Sequence, residues 1–92
     1  MKSLLECREV LNALDPKIKE LFIQRMYTVK DVALYKKDND LPIFDESREE
    51  SMIERLSSNI DEELKPYYLE FLRAILKISK DYQKDFIDKL NN

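Results

Sequence analysis

The 92-residue chain contains no glycine, no histidine and no tryptophan, and it has one cysteine. Each absence removes a class of chemistry. Without glycine there are no easy left-handed turns and no close backbone approach, which counts against tight β-hairpins, phosphate-cradling loops and dinucleotide-binding turns. Without histidine the chain lacks the usual imidazole base and the commonest metal ligand. A single cysteine, Cys7, forms no intrachain disulfide, so a reducing cytoplasm suits the chain. A small, buried apolar role is the ordinary expectation for Cys7. The opening residues show no signal-peptide pattern, and no apolar run is long enough to span a bilayer. Net charge is only −3 with both signs interspersed, so no basic face marks a nucleic-acid partner.

What is present is helical periodicity. At 43% hydrophobic and 38% charged, the chain reads as one small domain over residues 1–92, near the lower size limit for a self-sufficient core. Leu4, Leu11, Ile18, Arg25 and Val32 recur every seven residues, as do Cys7, Leu14, Leu21, Thr28 and Tyr35. That pattern predicts one helix from about Ser3 to Asp38, long enough to want a partner. Asp15-Pro16 interrupts it, as either a bend or the cap and first residue of a separate helix. A loop, Asn39 to Phe44, leads to Asp45 as the cap of a second helix over about Glu46–Asn59. Met52, Ile53, Leu56 and Ile60 form its apolar side. A third helix has Pro66 in its first turn and runs to about Leu90, with Tyr68, Phe71, Leu72, Ile75, Ile78, Tyr82 and Phe86 as its expected buried face. The class is all-α: a long, a short and a long helix.

Polar residues interrupt these apolar faces. Arg25 sits in the heptad seam of the first helix, and Lys36 lies eleven residues on, close to the same face. Ser79 and Gln83 form an i, i+4 pair on the third helix, and Glu49 shares a side with Ile53 and Leu56. Taken singly, each reads as structural: an arginine snorkelling outward, a glutamine satisfied in a core. Taken together they converge from three helices, and the cationic and neutral donors outnumber carboxylates. Such a cavity suits an anion carrying carboxylates. The turn Lys36 to Glu49 adds Asp45 and Arg48, more charge than a helix connection requires. Arg8 precedes Arg25 by 17 residues and Lys36 by 28. Along a straight helix these separations are about 25 Å and about 42 Å, too far for one metabolite to span. If Arg8 serves a site of this kind, it serves a partner's, through an antiparallel dimer built on the first helix.

These residues, in this order, resemble the all-helical (type II) chorismate mutase family. The resemblance runs from Leu-Leu-Glu-Cys-Arg8, through Arg25 and Lys36, to Leu-Pro-Ile-Phe-Asp45-Glu-Ser-Arg48-Glu49 and Ser79-Lys-Asp-Tyr-Gln83. It implies an intertwined homodimer of three-helix chains that isomerises chorismate to prephenate in phenylalanine and tyrosine biosynthesis, with no metal, no cofactor and no covalent intermediate. It also implies roles. Arg25 and the other subunit's Arg8 clamp the two carboxylates, and Lys36 and Gln83 donate to the ether oxygen. Glu49 and the Asp45 region hold the ring hydroxyl, Ser79 assists a carboxylate, and Arg48 lines the site and orients Glu49. The alternatives are an isochorismate-pyruvate lyase of the same fold and a non-catalytic helical interaction module.

Overall fold

The structure, a computed structural model, describes residues 2–92. Three helices make it up: α1 spans Leu4–Asp38, α2 spans Glu46–Ser57 and α3 spans Lys65–Leu90. Ser3 caps α1: its hydroxyl accepts from the Glu6 amide at 3.2 Å and donates to the Glu6 carboxylate at 3.3 Å. The helix continues through Pro16 without a break. Proline removes one i→i−4 donor, so the Asn12 carbonyl loses its helical partner. Residue 12 lies on an exposed stretch, where its carbonyl is open to water. The Asp15-Pro16 pair therefore does not begin a second helix.

α1 stops at a two-bond C-cap. The Leu41 amide donates to the Lys36 carbonyl at 2.8 Å and the Asp40 amide to the Lys37 carbonyl at 3.3 Å. Asp40 takes the left-handed conformation this motif requires, with φ 55°, at the position glycine usually fills. In a chain without glycine, aspartate is one of the few residues that tolerates it. Asp45 then caps α2, its Oδ1 accepting from the Arg48 amide at 3.1 Å. α2 ends at Ser57, two residues short of the expected Asn59, where Ser58 turns its hydroxyl onto the Arg55 carbonyl at 2.8 Å. Pro66 falls in the first turn of α3, where a missing amide costs nothing.

α3 packs against both α1 and α2. The molecule measures 54 × 27 × 14 Å, so it is about one helix thick. Its radius of gyration is 16.8 Å, against roughly 12 Å for a compact chain of this length. Among the described residues the only buried apolar side chains are Ala33, Leu72 and Leu76. α3 buries Leu72, Leu76, Ser79 and Gln83, an i, i+4, i+7, i+11 stripe. This differs from the expected face: Phe71 and Ile78 stand 52% and 45% exposed. They line a second apolar side that, with Ile18, Leu21, Phe22 and Met26 of α1, forms a groove of about 640 Å³. Every described residue up to Gln24 is exposed, Cys7 included, against the expectation that it is buried. Among the described residues, none on that half of α1 is buried or half-buried by the rest of the chain. No helix of the described residues is long and apolar enough to cross a membrane.

Candidate active site

Where the other half of α1 meets α3 and the start of α2, three helical stripes line one cavity. α1 contributes Arg25, Val29, Val32 and Lys36, α2 with its cap contributes Asp45, Arg48, Glu49 and Met52, and α3 contributes Leu76, Ser79, Lys80 and Gln83. Each set follows the three- and four-residue spacing that keeps side chains on one helical face. Ile43 completes the wall from the loop. Of the eight residues singled out from sequence, seven line this cavity: Arg25, Lys36, Asp45, Arg48, Glu49, Ser79 and Gln83. Arg8 does not. It is exposed on the bare half of α1, about 25 Å along the helix from Arg25.

The polar contacts are ordered. Arg25 donates through Nη1 to the Ser79 hydroxyl, which itself donates to the Ile75 carbonyl at 2.7 Å. That second bond points the serine proton along its own helix and leaves the oxygen lone pairs for the guanidinium. Arg25 has further N–H groups to offer. Lys36 Nζ donates to the Ile43 carbonyl at 2.8 Å, tying the end of α1 to the loop that follows it. Lys80 Nζ lies 3.2 Å from Glu49 Oε1 and 3.2 Å from Oε2. The Gln83 amide oxygen is buried and has no partner. A buried polar atom left unmatched costs about 1–3 kcal/mol, so a donor placed there, from water or a ligand, is favoured. The amide ends are interchangeable by rotation, so the same place can present its NH₂.

Four cations, Arg25, Lys36, Arg48 and Lys80, face two carboxylates, Asp45 and Glu49, an excess of two positive charges. Burial, and then the neighbouring Arg48 charge, pull the Arg25 guanidinium below its ordinary value. Both effects penalise a cation that lacks an anion beside it. The arrangement suits a small dianion and offers neutral and cationic donors to any oxygen between them. Sequence reasoning missed Lys80 and the Ile43 carbonyl. Lys80 stands four residues after Leu76 and three before Gln83, a spacing that places it on this face. Nothing else in the sequence separated it from the other lysines of α3. The Ile43 carbonyl is a backbone group with no sequence signature.

Fold and cavity together define an all-helical protein with a net-cationic pocket at the meeting of its three helices. The model of the chorismate mutase type II family matches residues 7–84, a stretch that includes Arg8 at one end and Gln83 at the other. The chain is also 27% identical over 97 residues to a chorismate mutase of Methanocaldococcus jannaschii, the match covering 100% of this chain and 95% of that protein. No solved structure matches it. This chain belongs to the type II chorismate mutase family, and it is an isomerase of that class.

Proposed function

We propose that the chain converts chorismate to prephenate as a homodimer, each site built from the cavity of one subunit and Arg8 of the partner subunit. The observation that carries this reading is the meeting of Arg25, Lys36 and Gln83, from α1 and α3, in one cavity with a surplus of two positive charges. The substrate carries two carboxylates and an ether oxygen whose C–O bond breaks as a C–C bond forms. Nothing needs to be added or removed, so no acid, base or cofactor enters the balance. The protein contributes in two ways. It holds the compact conformer in which the two reacting carbons approach, and it stabilises charge that builds on the ether oxygen.

Arg25 grips one carboxylate, and the lone pairs of Ser79 keep its guanidinium aimed. Lys36, oriented by the Ile43 carbonyl, retains two N–H donors for the ether oxygen and a carboxylate. Gln83 donates its amide N–H to the same oxygen. Glu49 and Asp45 accept from the ring hydroxyl, and Arg48 closes the rim. The cavity of about 100 Å³ is below the usual range for ligand pockets because its side chains reach across to one another. Substrate widens it while these contacts hold the side chains in place.

Dimerisation accounts for what one chain leaves unfinished. Leu4, Leu11 and Ile18 are 66%, 53% and 56% exposed along the α1 seam. Antiparallel pairing of two α1 helices covers this seam and carries Arg8 to the other subunit's Arg25 end. The cytoplasm belongs to the same proposal, since an exposed lone thiol at Cys7 suits a reducing compartment. The test is direct: purified protein is incubated with chorismate, and loss of its absorbance is followed together with appearance of prephenate. Isochorismate is run alongside. Pyruvate released from isochorismate without turnover of chorismate sinks the mutase reading in favour of the lyase.

A further inference from the structure

Among the described charged residues that line the cavity, Lys80 has no part in the rearrangement as derived above. Its position is nevertheless specific. The ammonium sits equidistant, at 3.2 Å, from both oxygens of Glu49 and 4.5 Å from the centroid of the Phe44 ring. Its side chain is 33% exposed and that of Glu49 is 20% exposed, so the pair is partly shielded from water. One cation from α3 thus holds both the first turn of α2 and the loop that enters it. Lys36 holds the preceding residue, Ile43, from the α1 side. The two lysines fix adjacent loop residues from opposite walls.

A glutamate on a free side chain samples several rotamers, and a carboxylate that must accept from a substrate hydroxyl loses directionality with each. A contact to both oxygens fixes the plane of the carboxylate and leaves its remaining lone pairs open toward the cavity that Glu49 lines. We propose that Lys80 is a positioning residue: it sets the Glu49 carboxylate for the ring hydroxyl and so makes the site selective for the hydroxylated substrate. The proposal rests on the role given to Glu49 under the proposed function. A purely structural ion pair between α2 and α3 is the competing account, and it predicts no dependence on the substrate's hydroxyl.

The experiment compares chorismate with an analogue in which hydrogen replaces the ring hydroxyl. It uses wild-type protein, Lys80→Met, Lys80→Arg, Glu49→Gln and the Lys80→Met/Glu49→Gln double variant. Lys80→Met is expected to lower kcat/KM for chorismate by about 10- to 100-fold, the scale of a misaligned contact, and to lower it at least about fivefold less for the analogue, which keeps both carboxylates and lacks only the hydroxyl. Lys80→Arg recovers most of the loss, which also shows that the site tolerates substitution there. In the Glu49→Gln background Lys80→Met no longer distinguishes the two substrates. Equal losses on both substrates, a substrate-dependent loss that persists in the Glu49→Gln background, or no loss at all overturns the proposal. A wild-type protein that leaves chorismate untouched overturns the functional reading itself, a result distinct from any pattern among the Lys80 variants.

Discussion

The two halves of α1 obey one heptad rhythm and meet opposite fates. From Arg25 to Lys36 the helix lies against α3, buries Ala33 and presents Arg25, Val29, Val32 and Lys36 to a polar cavity. From Leu4 to Gln24 the same rhythm of leucine and isoleucine stands in solvent. Periodicity therefore tells that a face is to be covered but not by which molecule. The packed half has its cover within the chain. The bare half has an arginine, Arg8, with an apolar seam on its own helix and no ion pair among the described residues.

Substitutions separate the two halves. The largest effect belongs to the packed one: Lys36→Ala removes an ammonium at the developing charge and is expected to raise the barrier by about 3–4 kcal/mol. A kcat close to wild type excludes Lys36 from that role. On the bare half, Arg8→Ala is expected to lose about 2–3 kcal/mol of transition-state binding, the scale of charge-assisted hydrogen bonds to a carboxylate. Mixing the two inactive variants and allowing subunits to exchange should then restore about a quarter of wild-type activity, because half the dimers are mixed and each has one intact site. No recovery on mixing, with exchange verified by mass, means Arg8 does not act across subunits.

A smaller effect concerns α3. Gln83 donates as a neutral amide, so the wild-type rate should not climb between about pH 8 and about pH 5, whereas Gln83→Glu must be protonated to donate and should climb by about tenfold or more. A wild-type rate that rises steadily on acidification contradicts that assignment. The smallest is at the end of α1. Asp40→Gly relieves the left-handed backbone at φ 55° and should stabilise the fold by about 0.5–1 kcal/mol, read as a higher Tm with kcat unchanged.

The helices were legible because their signals are local. Asp45 before an acidic turn, Pro66 in a first turn and the break after Asp38 each mark a boundary through chemistry within a few residues. Pro16 left two helices open as a rival to the single one that the heptads predict and the structure has, since exposure of residue 12, which frees its carbonyl for water, is not written in the heptads. The buried stripe of α3 was harder. That helix has two apolar sides, one through Leu72 and Leu76 and one through Phe71 and Ile78, and composition does not say which is covered by the same chain. In the cavity, residues out of place on an apolar face announced themselves: Arg25, Ser79 and Gln83. Lys80 did not, because a lysine at the edge of a helical face looks like any solvated lysine. Its meaning comes from Glu49, 31 residues away.

The bond from Lys36 Nζ to the Ile43 carbonyl has a consequence for timing. A free lysine side chain carries about 2 kcal/mol of rotamer entropy, which binding would otherwise have to remove at every encounter. Here the chain is already stilled when α1 and its following loop come together during folding. The disorder is given up once in the life of the molecule, and each catalytic cycle starts from an ammonium that is waiting in place.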